Sequence, residues 1–182
     1  MGATMNRPPP SFLPDVHYPA ITLWQPWASW IACGWKTVET REHRRFASLA
    51  GLRIAIHAGQ RWDDDWRYLA AGYLTPEHLD YTYRHFRTVR GRVVCMATVR
   101  EHRELYLRDS AAALCDAAGL YGLVLTDVAV WPEPLPPVSG SRLIWTWTPP
   151  RLCPAPVWPD DPAMRSPAGG PGLFPIEEAG RP

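Results

Sequence analysis

The stretch from Ile21 to Arg41 most limits the folds open to this chain, because it compresses a strand, a short helix, a turn and a second strand into consecutive residues. Ala20 to Gln25 alternates, with Ile21 and Leu23 on one side, as a half-buried strand does. Pro26 then suits the first position of a helix, where its missing N–H is not needed. Trp27, Trp30 and Ile31 recur at helical spacing, and Gly34 suits the left-handed residue that ends a helix. Trp30 and Ile31 are expected in the core, whereas Trp24 and Trp27 flank the turn. Thr37 to Arg41 is the second strand. Its pleat puts Thr37, Glu39 and Arg41 on one face and Val38 on the other. The pleat would also give Lys36 to the Val38 side, but the glycine turn just before it leaves its direction open.

The rest of the chain continues in short elements. Arg53 to Ala58 reads as a strand with Ile54 and Ile56 facing one way and Ala55 and His57 the other. Asp63-Asp64-Asp65 opens a helix whose buried stripe is Trp66, Leu69 and Ala70. Thr75 caps a further helix with Pro76 in its first position, running to about Phe86. Gly91 to Val99 is a strand with Val93, Cys95, Ala97 and Val99 on one face. A helix over Asp109 to Ala118 ends at Gly119, and strands follow at Tyr121 to Trp131 and Leu143 to Thr148. The connector Pro132-Glu133-Pro134-Leu135-Pro136-Pro137 cannot join a ladder as a central strand.

This count gives a mixed α+β chain of about six strands. Their spacing is not that of regular βαβ units, and short helices inserted around them suggest a small β-barrel. The domain is expected over 19–148. Residues 1–18 form a flexible arm with Pro8, Pro9, Pro10 and Pro14. Residues 149–182 form a tail expected to be disordered or loosely docked, with ten prolines among its 34 residues.

Lys36 is the only lysine in the sequence; the other 18 of the 19 basic residues are arginine. A lone lysine beside Glu39 and Arg41 points to a task that a guanidinium cannot perform: a compact, rotatable donor whose pKa falls on burial. Burial of the three as a structural ion pair is the competing reading. The formal net charge of +1 announces no polyanion partner through a global field. Local fields differ. His43-Arg44-Arg45 makes a basic corner and Arg84 to Arg103 is rich in arginine, and Arg44, Arg45, Arg87, Arg90 and Arg92 are expected to meet a nucleic-acid backbone. Its bland reading is a solvated rim. Ten tryptophans supply core, and also surfaces on which bases stack.

The four cysteines are scattered and show no ligand spacing, so neither a metal site nor a cofactor is expected. No run of about 18 apolar residues and no signal-peptide pattern appears, which points away from a membrane and toward a cytoplasmic location with reduced thiols.

Leu23-Trp24-Gln25-Pro26-Trp27-Ala28, then Gly34-x-Lys36-x-x-Glu39-x-Arg41, then Ile54-Ala55-Ile56-His57-Ala58, resembles the ASCH domain family, and within it the small endothelial-overexpressed, lipopolysaccharide-associated type. The resemblance covers about 20–148. It implies a PUA-like β-barrel with a cleft facing the signature residues, and a role in binding RNA or a modified nucleoside. Carried over by position, Lys36, Glu39 and Arg41 are cleft residues, with Trp24, Gln25, Trp27 and His57 as ligand-binding neighbours. Some relatives hydrolyse N4-acylated cytidine with a threonine three residues after the lysine. Glu39 holds that position here, and neither Thr37 nor Thr40 does. Lys36 as general base with Glu39 as acid or positioner is the enzymatic alternative, with Glu101 or Glu104 as a second carboxylate.

Overall fold

Six strands form one sheet in the order β2-β5-β4-β3-β1-β6, built from β1 (Tyr18–Gln25), β2 (Val38–Arg41), β3 (Arg53–Trp62), β4 (Arg92–Glu104), β5 (Tyr121–Val130) and β6 (Trp145–Trp147). The computed structural model describes residues 12–13, 15–131, 133–151 and 153–157. Most of the expected N-terminal arm, and the tail from 158 onward, lie outside these residues. Strands β1 and β3 run parallel, and every other pairing is antiparallel. A parallel pair needs a crossover, and here α1 (Trp27–Ala32), β2 and a 3-10 turn over Arg44–Leu49 supply it. Three further helices, α2 (Trp66–Ala70), α3 (Pro76–His85) and α4 (Ser110–Ala113), are inserted between strands. The fold is therefore mixed α+β. Its edge strands, β2 and β6, do not pair with each other among the described residues, so the pairing is that of an open sheet.

The sheet is covered on both faces. On one, Ile21, Leu23, Ile54, Ile56, Cys95 and Val99 meet Ala28 and Ile31 of α1. On the other, Ala20, Ala55, Val93 and Met96 meet Trp131, Leu135 and Trp147. Ile54 and Ile56 thus part from Ala55 as the alternation requires. Val93 does not share the face of Cys95, Ala97 and Val99, as strict alternation in β4 would have it. The register shifts where Ile56 pairs with Cys95 but His57 with Val93, leaving Val94 extra on β4, and a bulge of this kind reverses the side-chain phase.

Trp30 and Ile31 are fully buried. Trp30 anchors α1 beneath α3, donating its indole N–H to the hydroxyl of buried Thr82 (2.9 Å), so its polar handle is satisfied where its ring excludes water. Burial of such a side chain contributes about 2–3 kcal/mol. Thr75 caps α3 by accepting the His78 N–H, with Pro76 in the first turn. Gly34 has φ +74 just after α1, and its N–H reaches the Ile31 carbonyl at 2.9 Å.

Several boundaries differ from the sequence reading. Pro26 precedes α1 rather than occupying its first position. Gln25 instead reaches forward, its amide oxygen accepting the Ser29 N–H at 3.1 Å. In α2, Trp66 and Ala70 are buried one turn apart, but Leu69, at the flank of that stripe, is exposed. The helix expected over Asp109 to Ala118 stops at Ala113, because Leu114 takes a left-handed φ of 58. The last strand shrinks to Trp145–Trp147 at the sheet edge, where only β1 supports it. Past it, the chain remains packed on β5: Val157 and Val130 exchange backbone bonds of 2.8 and 2.6 Å.

Candidate functional site

Lys36 leaves the Gly34 turn with its N–H held by the Trp30 carbonyl (3.1 Å), which fixes its backbone before β2 begins. Its side chain then runs inward and is 1% exposed. The ammonium donates to the Ala113 carbonyl at the end of α4 (2.6 Å) and lies 3.7 Å from Glu39 Oε2. The Trp27 ring centroid is 5.1 Å from Nζ. Lys36 therefore joins Glu39 and Arg41, not the side of Val38, because the turn rather than the pleat aims it. Burial pulls its pKa below the ordinary lysine value, and the Glu39 carboxylate opposes that pull.

Glu39 is 6% exposed and stands between two cations, with Arg41 Nη2 3.3 Å from Oε1. The Arg41 guanidinium lies over the Phe46 ring, Cζ 4.5 Å from its centroid. Its Nε and Nη2 are buried and make no hydrogen bond among the described residues. Orphaned donors of this kind are rare in folded proteins and call for a partner.

These three side chains line one cleft of about 490 Å³, within the range of small-molecule sites. Trp24 and Trp27 form part of its wall. Trp27 is fixed: its indole N–H donates to Asp63 Oδ2 (2.8 Å), and its ring packs edge-on against Trp30. Trp24 is 44% exposed, with the Arg61 guanidinium stacked 3.7 Å from its ring centroid. The cleft thus offers an ammonium, a carboxylate, a guanidinium fork and aromatic faces within one concavity.

The other singled-out residues fall elsewhere. Gln25 is fully buried and does not line the cleft; its amide donates to Ser29 Oγ (2.7 Å) and to the Val89 carbonyl (2.6 Å), locking α1 onto β1. His57 lines a second cavity of about 410 Å³. Its Nε2–H donates to the Val138 carbonyl (3.0 Å), and Nδ1 faces the Thr22 hydroxyl (3.2 Å), which also accepts the Trp145 indole N–H (3.2 Å). Burial lowers its pKa, and the bond to the Val138 carbonyl opposes that shift.

None of the five arginines expected at a nucleic-acid backbone lines the cleft. Arg44 stacks on Tyr121, Arg45 is exposed, Arg87 bonds the Tyr83 hydroxyl (3.1 Å), Arg90 donates to the Gln60 carbonyl (3.2 Å), and Arg92 sits half-buried in β4 opposite Ala58. Glu101 pairs with Arg100 and Arg103, and Glu104 is exposed on the same strand. Thr40 also lines the cleft, beside Cys115 (Oγ1 to Sγ 3.9 Å).

Sequence reasoning missed Glu42, His43, Asp63, Leu69, Cys115 and Leu120 as cleft residues. Asp63 had a signal in being the first of three acidic residues, but that signal reads equally as a helix start. Cys115 had none, since it reaches the cleft only because α4 breaks at Leu114. Among the described residues no group of three or more His, Cys, Asp or Glu could hold a metal ion, and no helix is long and apolar enough to cross a membrane. The chain matches no protein-family model and no curated protein, so the arrangement of these side chains has to carry the functional argument.

Proposed function

We propose that this chain is an ASCH-type domain whose cleft binds a nucleobase, presented by RNA or as a modified nucleoside. One observation carries the reading. The sole lysine is buried against Glu39, and Arg41 keeps buried donors without a hydrogen bond, in the wall of a ligand-sized cleft that also holds Trp24 and Trp27. Glu39 accepts from an exocyclic amino group, Lys36 and Arg41 donate to ring nitrogen or carbonyl acceptors, and a tryptophan face covers the heterocycle. Base stacking on such a ring contributes roughly 1–3 kcal/mol. In this reading the sheet curls into a PUA-like barrel with β2 and β6 as its approaching edges. Titration of nucleosides and short single-stranded RNA against the intrinsic tryptophan fluorescence tests it. Arg41→Ala and Trp27→Ala are expected to weaken binding about tenfold or more, and unchanged affinities in both would remove the reading.

The lowered pKa of Lys36 favours a second reading, a hydrolase acting on RNA or N4-acylated cytidine. A neutral Lys36 takes a proton from water while the water oxygen bonds the acyl carbon. The C–N bond then breaks, and N4 departs as the amino group carrying that proton. Lys36→Arg separates the readings: turnover of an acylated cytidine by the wild type and not by the variant supports hydrolysis, whereas equal rates exclude lysine chemistry.

A further inference from the structure

The cleft and the second cavity share a wall residue, Thr22. Between them β1 and β3 come very close: a Cβ on Gly59 would lie 3.0 Å from Thr22 Cγ2 and 3.2 Å from the Leu23 carbonyl. Along this edge stand exposed Trp24 and the Arg61 that stacks on it. Arg61 makes no ion pair or hydrogen bond among the described residues, so its charge is held in place without being neutralised. Gln60 follows at the rim of the second cavity, with Arg90 bonded to its carbonyl.

The two cavities differ in charge. Lys36 and Arg41 in the cleft face three carboxylates, Glu39, Glu42 and Asp63, so a phosphate gains nothing by entering it. The second cavity is lined by uncharged groups, among them His57, Gln60, Ser139 and Gly140, with Arg90 bonded to the Gln60 carbonyl and Arg61 next to Gln60 in the chain. Gly140 lies directly against the His57 ring, where a Cβ would come within 2.4 Å of Nδ1, so this part of the wall is bare backbone. Such a surface suits a sugar or a base edge and tolerates a nearby phosphate.

We propose that the two cavities are successive nucleotide subsites on one single-stranded RNA track. This rests on the nucleobase reading of the cleft and adds to it. One base occupies the cleft, the connecting phosphate crosses the Thr22–Trp24 edge onto Arg61, and the neighbouring nucleotide enters the second cavity beside Gln60 and Ser139.

The test uses the full chain, a fluorescein-labelled mixed-sequence RNA octamer, and free nucleosides titrated separately. Arg61→Ala and the Arg61→Ala/Gln60→Ala double variant alter exposed side chains only. In Arg61→Ala, octamer affinity is expected to fall about tenfold while nucleoside affinity stays at the wild-type value, and in the double variant octamer affinity is expected to fall at least as far. The slope of log affinity against log salt is expected to shrink by about 0.7, the loss of one phosphate contact on a single strand. Unchanged octamer binding in both variants, with nucleoside binding intact, overturns the track and leaves the cleft reading standing. Displacement of the octamer by polyglutamate as effectively as by unlabelled RNA marks a generic anion surface, and also overturns it. If the wild type binds neither octamer nor nucleoside, both readings fall.

Discussion

Arg103 meets Asp109 through two parallel bonds of 2.9 and 2.8 Å, whereas Arg41 meets Glu39 through a single approach of 3.3 Å. The first pair is saturated. Asp109 also accepts the Tyr106 N–H (2.9 Å), and Arg103 reaches Glu101 and the Glu104 carbonyl. The second pair is left open on both sides: Arg41 Nε and Nη2 are buried without a hydrogen bond, Nη2 meeting Glu39 only as an ion pair, and Lys36 approaches the carboxylate only to 3.7 Å. The same residue chemistry serves two ends. Around Asp109 the bonds close on themselves and clamp the loop that leads into α4. Around Glu39 they stay incomplete, and incompleteness at a cleft wall is what a ligand can use. The contrast predicts that breaking the closed pair costs stability and spares binding, whereas at the open site changing the guanidinium costs binding and spares stability, and removing a buried charge costs both.

Lys36→Met tests the contrast hardest. It leaves Glu39 buried with only Arg41 nearby, and urea unfolding is expected to show a loss of about 3–5 kcal/mol. Lys36→Met/Glu39→Gln is expected to recover most of that loss while binding no nucleoside. A double variant as unstable as the single one would mean that packing, not charge, fixes the cleft.

Asp109→Ala is expected to cost about 1–3 kcal/mol by orphaning the Tyr106 N–H and half of the Arg103 fork, with nucleoside affinity unchanged. The pair also sets an acid limit. Arg103 first, and the Tyr106 N–H second, hold the Asp109 carboxyl far below the usual carboxylate range. Its contribution is therefore complete above the unfolded value of about 3.9 and is lost as pH falls below that toward the folded value. Acid unfolding of Asp109→Asn should lack this component; an unchanged acid limb would remove the clamp from the account.

Arg41→Lys keeps the charge but loses the fork, so affinity is expected to drop about tenfold while stability shifts by less than about 1 kcal/mol. A large stability loss with intact affinity would make Arg41 another Arg103. The smallest effect belongs to His57. Its folded pKa lies below the unfolded value of about 6.5, so the stability it lends is present above that pH and is lost as pH falls through the folded pKa. Thermal melts between about pH 8 and pH 5 should decline less steeply in His57→Gln than in the wild type.

Much of the scaffold was legible because its signals are local. Thr75-Pro76 fixes the start of α3, Gly34 the end of α1, and the alternation of Ile54 to His57 the two faces of β3. What was illegible depended on distant contacts. The bulge at Val94 appears only once β4 pairs with β3. The break at Leu114 has no glycine to announce it, and the inward course of Lys36 depends on the carbonyl of Ala113, far along the chain. The arginine-rich run from Arg84 to Arg103 gives the opposite lesson. It looked like one basic patch, but a helix, a turn and a bulged strand disperse it, leaving Arg61, which no run of charge marked, stacked beside the cleft.

By itself the sequence determined which side chains had to be special: one lysine in a chain of arginines, a carboxylate and a guanidinium beside it, and tryptophans on both sides of a proline turn. It also set the apolar periods that bury Trp30 and Ile56. Only the tertiary structure decided that Lys36, Glu39 and Arg41 share one cleft, that Gln25 and His57 do not enter it, and that Cys115 and Asp63 do. The physical reason is that alternation and helical spacing report each residue's local phase, whereas a cleft is made by which distant segments desolvate one another. That is set by sheet order and by where backbone carbonyls such as that of Ala113 come to rest.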